Sequence, residues 1–64
     1  MKPIIGQEAV VPEYGLGRVV SIVHHIGKYA LAYDIEVKPY ICDYSMVFDA
    51  GNVKLVKIHY EEEV

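Results

Sequence analysis

Tyr29-Ala30-Leu31-Ala32-Tyr33-Asp34-Ile35-Glu36-Val37 is the stretch that decides the fold class. Tyr29, Leu31, Tyr33, Ile35 and Val37 fall on one face of an extended chain; Ala30, Ala32, Asp34 and Glu36 fall on the other. Successive Cβ atoms of a strand point to opposite sides, so a period of two in apolar character marks a strand with one buried face. The β-branched and aromatic residues on the apolar side suit a pleated surface.

Outward from this strand, turn residues punctuate the chain. Gly27-Lys28 interrupts a long apolar stretch before it, and Lys38-Pro39 breaks the chain after it. Pro12-Glu13-Tyr14-Gly15-Leu16-Gly17 and Asp49-Ala50-Gly51-Asn52 read as loops. Glycine supplies positive φ, proline fixes φ and lacks a donor, and Asn and Asp tolerate the left-handed region. Four more strand-like runs lie between these points: Glu8 to Val11, Arg18 to about His25, Tyr40 to about Phe48, and Val53 to Ile58. No helix is predicted, because Gly and Pro recur too often for three full turns and the apolar spacing is not helical. A short 3₁₀ turn is expected around Asp49 to Asn52. Residues 1–58 form one domain in this reading, and 59–64, with Glu61, Glu62 and Glu63, form an acidic tail expected to fray. Five short strands joined by tight turns predict an all-β domain closed, or nearly closed, into a small barrel, since closure removes exposed edges. The alternative is an open antiparallel meander that pairs with a second copy.

Composition narrows the function. A chain of 64 residues has room for one core and buries only ~60% of the surface its unfolded form exposes. Its apolar share of 53% is far above that of a disordered chain. The formal net charge is −3, from nine acids and six bases. The bases, Lys2, Arg18, Lys28, Lys38, Lys54 and Lys57, are spread along the chain. Binding to duplex nucleic acid needs several such groups near phosphates. The acidic balance therefore argues against a protein living on nucleic acid alone and for a protein partner, one with a basic surface. The lone Cys42 allows no intramolecular disulfide, which suits a reducing compartment. Met1 to Gly6 lacks the charged and apolar regions of a signal peptide, and no apolar run approaches the ~18 residues of a membrane span. A cytoplasmic location, away from membranes, is the expectation.

Residues that could carry chemistry are few. His24 and His25 are neighbours in one run and so point to opposite faces; with His59, Asp43 and Cys42 they lack metal-site spacing such as C-x-x-C. No metal or other cofactor is expected. Cys42 has no local signature of a nucleophile and reads as a small hydrophobe. Gly15-x-Gly17 opens a strand, not a helix, so it lacks the dipole of a phosphate loop. The chain is read as no enzyme. The rings of Tyr14, Tyr33, Tyr40, Tyr44 and Phe48 are candidates for a cage around a methylated side chain or for stacking on single-stranded bases, but in the simpler reading they are core or rim residues.

The stretch Gly6-Gln7-Glu8-Ala9-Val10-Val11-Pro12-Glu13-Tyr14-Gly15-Leu16-Gly17, followed by Val19 and Ile22, resembles the RNA-polymerase-interacting domain of the CarD and transcription-repair coupling factor families. Their pattern reads G-D-x-V-V-Y-P-x-H-G-x-G, then V-x-x-I. Gly6, Val10, Pro12, Gly15 and Gly17 match in register; Gln7, Ala9, Val11 and Tyr14 depart, with Tyr14 keeping a flat ring where the family has His. The C-terminal Tudor-like domain of UvrD/PcrA-type helicases is similar too, and Phe48-Asp49-Ala50-Gly51-Asn52-Val53 loosely echoes its ending. The resemblance covers residues 6–22 well and the rest by strand count. It implies a five-stranded SH3/Tudor-like barrel that docks on bacterial RNA polymerase. The chain has neither the DNA-binding helices nor the motors of these families, so it would carry the protein-docking half alone.

The expected function is thus a non-catalytic protein-binding module, a small transcription-related regulator. Tyr40-Ile41-Cys42-Asp43-Tyr44, in the fourth run, is the candidate docking edge, because strand addition to an exposed edge is a general mode of recognition. The candidate partner-binding residues are Arg18, Tyr33, Tyr40, Ile41, Asp43 and Tyr44. Two alternatives stand beside it. A nucleic-acid-binding barrel predicts Arg18, Lys28, Lys54 and Lys57 on one face. An acidic inhibitor of a host enzyme predicts that Asp34, Glu36, Asp43, Asp49 and Glu61 to Glu63 gather in a patch.

Overall fold

The computed structural model describes residues 3–24 and 33–57. They form one antiparallel sheet of β1 (Glu8–Val11), β2 (Gly15–His24), β3 (Tyr33–Pro39), β4 (Met46–Asp49) and β5 (Lys54–Leu55), with a 3₁₀ turn at Ala50–Asn52. The spatial order is β4-β3-β2-β1-β5. This is the order of a five-stranded barrel cut open between its fourth and fifth strands. Among the described residues β4 and β5 do not pair, so the all-β, five-stranded reading holds while the sheet stays open. No helix among them is long and apolar enough to cross a membrane.

The inner face makes the core. Ala9, Val11, Val19, Ile35 and Val37 are 0 to 3% exposed, and Tyr14, Ile22, Tyr33, Phe48, Ala50, Val53 and Leu55 pack against them. A flat single sheet would leave such residues open to water, so the sheet curls over its own inner side. β3 shows the alternation read from the sequence, with Tyr33, Ile35 and Val37 inward and Asp34 and Glu36 opposite. Tyr29 to Ala32, Gly27-Lys28 and His25 lie outside the described residues. β2 is less regular. Its register on β3 shifts between Val19 and Ser21, so Val19 faces Val37 and Ile22 faces Ile35. The extra residue, Val20, is a bulge that turns the inward set from odd to even positions. That is why Val19 and Ile22, three apart, both reach the core.

Several boundaries differ from those read in the sequence. β2 begins at Gly15, not Arg18, because Gly15 and Leu16 pair with Val11 and Val10. The loop shrinks to Pro12–Tyr14, with Glu13 at φ 70° and Gly15 at φ 76°. Gly17 serves another purpose: a Cβ there would stand 2.6 Å from the Lys38 carbonyl oxygen and 2.7 Å from Pro39 Cα. Its bare backbone makes room for the buried Pro39 directly opposite, so β3 runs through Lys38-Pro39 where a break was expected. The fourth strand is Met46–Asp49 alone. Tyr40 N–H donates to Leu16 O (3.0 Å), and Cys42 N–H then folds back to Pro39 O (3.1 Å). The segment 40–45 is therefore a turn and not part of a strand. The fifth strand is only Lys54–Leu55, extended by one bond from Val56 N–H to Glu8 O (2.9 Å); Val53 N–H instead closes the 3₁₀ turn on Ala50 O. Ile58 and the segment 59–64 lie outside the described residues.

Candidate functional site

The outer face of the sheet is where exposed chemistry collects. Its residues follow from the registers. Glu8 stands opposite Arg18, and Arg18 opposite Lys38. One level along, Lys54 faces Val10, Val10 faces Leu16, and Tyr40 bonds to the Leu16 carbonyl. In the other direction lie Glu36 opposite Val47, then Val23 opposite Asp34 and Asp34 opposite Asp49. Between the charges, Val10, Leu16, Val20, Val23, Tyr40 and Val47 are 40 to 58% exposed. These exposed apolar residues share one face with the charges instead of being scattered over the molecule.

Arg18, Tyr40 and Glu8 form the most ordered part of this face. The Arg18 guanidinium lies 5.8 Å from the Tyr40 ring centre, a cation–π arrangement, and donates from Nη1 to Gly6 O (2.5 Å). The Tyr40 hydroxyl donates to Glu8 Oε2 (2.7 Å). That hydrogen bond to a carboxylate raises the Tyr40 pKa above its ordinary value of 10.0; slight desolvation adds to it and the charge of Arg18 opposes it. The ring is thus held by Arg18 over its face and by Glu8 at its hydroxyl, while about half its surface faces solvent. Beside it, Ile4, Ile5, Gly6 and Val56, with Arg18 and Lys57, line an open cleft of about 440 Å³. The cleft rests on Gln7, which is buried and links three segments. Its Nε2 donates to Val56 O (2.8 Å), its Oε1 accepts from Ile4 N–H (3.1 Å), and its backbone carbonyl accepts from Val19 N–H (2.8 Å).

Of the residues singled out in the sequence, Arg18 and Tyr40 come together. Ile41, Asp43 and Tyr44 are exposed in the turn that follows Tyr40, which Lys38 pins by donating from Nζ to Cys42 O (2.9 Å). The docking edge expected at Tyr40–Tyr44 is therefore a turn carrying apolar side chains; Ile41 is 76% exposed. Tyr33 lies apart, against the inner core, with its ring 6.1 Å from that of His24. The five rings considered for a cage are divided: Tyr14, Tyr33 and Phe48 pack on the core, Tyr40 lies on the outer face, and Tyr44 is exposed in the turn that follows it. Of the four bases in the basic-face reading, Arg18 shares the outer face with Lys54 and lines the cleft with Lys57, and Lys28 lies outside the described residues. Asp34, Glu36 and Asp49 share one end of the face, whereas Asp43 is in the turn and Glu61 to Glu63 are outside the described residues. Among the described residues no group of His, Cys, Asp and Glu could hold a metal ion, and Cys42 is a half-buried free thiol.

Glu8, Val10, Leu16 and Lys38 belong to this face and were not singled out in the sequence. Val10-Val11 and Val19-Val20 read there as continuous apolar strand, so their outward members were hidden among core residues. The signal that separates them is the register set by the Val20 bulge and by Pro39 facing Gly17. Comparison with protein-family models, with curated proteins and with solved structures finds no match.

Proposed function

We propose that this chain is a non-catalytic protein-binding module that docks through the outer sheet face around Arg18 and Tyr40, with bacterial RNA polymerase as the partner its N-terminal motif points to. One observation carries the docking reading: an exposed aromatic ring, fixed by Glu8 and Arg18, stands beside Val10 and Leu16. Tyr and Arg are the residues on which binding energy concentrates in protein interfaces. Holding the ring before the partner arrives removes part of the ordering cost of association. The naming of polymerase rests on Gly6, Val10, Pro12, Gly15 and Gly17, and the regulator role on the same residues.

The test is direct binding of the immobilised chain to purified bacterial RNA polymerase core enzyme. The wild-type chain is expected to bind, and Arg18→Ala or Tyr40→Ala to weaken binding at least about tenfold, about 1.4 kcal/mol. A folded chain that does not bind core enzyme contradicts the polymerase assignment.

A second reading has its own observation. Arg18, Lys38 and Lys54 gather on the same face as the Tyr40 ring, a combination that suits single-stranded nucleic acid despite the acidic whole. It predicts binding to labelled oligonucleotides that weakens steeply with salt. No binding at low salt removes it.

A further inference from the structure

The outer face carries its charges in two separate ends. Arg18, Lys38 and Lys54 stand at the end where β1 pairs with β2; Glu36, Asp34 and Asp49 stand at the end where β3 pairs with β4. Glu8 is the exception at the basic end, and it is bonded to the Tyr40 hydroxyl. Asp34 and Asp49 are directly opposite each other on β3 and β4. Exposed Leu16 and Val10 lie at the basic end, Val20 in the middle, and Val23 and Val47 at the acidic end.

β3 carries opposite charges at neighbouring outward levels, Lys38 and Glu36, and β2 carries exposed Leu16 and Val23 at its two ends, so this pair of strands is complementary to itself. Consider a two-fold axis in the plane of the face, crossing the strands between the level of Arg18 and that of Glu36. Rotation about it keeps each strand over the same strand of the partner and exchanges their two ends. It also brings Lys38 towards the partner's Glu36, both on β3, and Leu16 towards the partner's Val23, both on β2. A two-fold contact uses the same patch twice, so each such pair forms twice. The Lys38 ammonium has three donors and uses one on Cys42 O, which leaves donors for a carboxylate.

We infer that this chain forms a weak symmetric dimer by packing its outer sheet faces against each other, Lys38 against the partner's Glu36. The part of the face that the two copies share is mainly β2 and β3 with a portion of β4, two to three strand widths of about 4.8 Å by roughly seven residues of about 3.4 Å, on the order of 300 Å² per copy. That is the size of a transient contact and not of an obligate one. The dimer covers Arg18 and Tyr40, so it excludes docking through the same face. It is an inference about the chain with itself and stands whether or not polymerase is the partner.

Sedimentation of the full chain over a wide concentration range tests it without any other protein. A reversible monomer–dimer equilibrium that weakens as salt rises is expected. Lys38→Glu and Glu36→Lys are each expected to raise the dissociation constant at least about tenfold, and the double variant to restore it. A chain that stays monomeric throughout overturns the inference, as does a dimer indifferent to the single reversals or a double variant without recovery. Where a reversal prevents folding, isotope-filtered NOEs on the wild-type dimer decide. A contact between Leu16 of one copy and Val23 of the other supports the arrangement, and its absence in a populated dimer overturns it.

Discussion

At the scale of single residues, the two glycines of the Gly15-Leu16-Gly17 segment answer to different physics. Gly15 sits at φ 76° with open space around its missing Cβ, whereas Gly17 has no room, with backbone atoms of Lys38 and Pro39 under 3 Å away. Gly15→Ala is expected to cost about 1 kcal/mol, the left-handed penalty of an L-residue. Gly17→Ala is expected to cost more, roughly 1–3 kcal/mol or above, because the colliding atoms are backbone and cannot swing aside. Urea unfolding of the two variants checks the order; equal losses would contradict the close approach of Gly17 and Pro39. Gln7→Ala removes partners from Val56 O and Ile4 N–H together and is expected to cost about 1–3 kcal/mol by the same measurement. Tyr40 offers a pH signature. Its folded pKa lies above the unfolded value because Glu8 accepts its proton's hydrogen bond. Any stability this bond contributes is present below the unfolded value near 10 and is lost as pH rises through the folded one. Glu8→Gln is expected to lower the Tyr40 pKa. The tyrosinate absorbance, taken as the difference from Tyr40→Phe, reads it; an unmoved pKa would show that Glu8 does not hold the hydroxyl.

At the scale of elements, the alternating stretch around Ile35 was legible because one face is buried and the other is not. Tyr33, Ile35 and Val37 took the inner face as the period of two requires. The second strand was harder. Its inward residues Gly17, Val19 and Ile22 do not keep one parity, and only the pairing on β3 shows where the extra residue enters. Lys38-Pro39 misled for a related reason: a proline ends a ladder unless its partner leaves space, and that space comes from Gly17, over twenty positions away in the chain. The fourth run was drawn too long because Tyr40-Ile41-Cys42 has strand composition, yet its backbone bonds close a turn. Deleting Val20 tests the bulge. Without the extra residue, Val19, Ser21 and Ile22 alternate regularly against Val37, Glu36 and Ile35 with Ile22 still inward, and the domain is expected to keep its cooperative unfolding transition. Loss of that transition in the deletion variant would contradict the register. Ile35→Ala, between Ile22 and Phe48 on the neighbouring strands, is expected to cost about 2–5 kcal/mol.

At the scale of the whole molecule, net charge concealed an arrangement. The total of −3 pointed to a protein partner, but the sheet sorts its charges into a basic end and an acidic end on one face. A third of the candidate site was legible: Arg18 and Tyr40 were named from residue type, and the fold places them in contact. Glu8, Val10, Leu16 and Lys38 were not, since their outward direction depends on which strands pair and in what register. Tyr33 was named for its ring and went inward, because it shares the parity of Ile35. The docking reading therefore rests on one face whose amides can be followed individually. The decisive measurement is a set of amide ¹H–¹⁵N spectra of the dilute, labelled chain with increasing purified bacterial RNA polymerase core enzyme. The account predicts selective loss or shift of signals at Glu8, Leu16, Arg18, Lys38 and Tyr40, with the inward Ile35 and Val37 least affected. Unchanged spectra, or changes that spare this face, would contradict it.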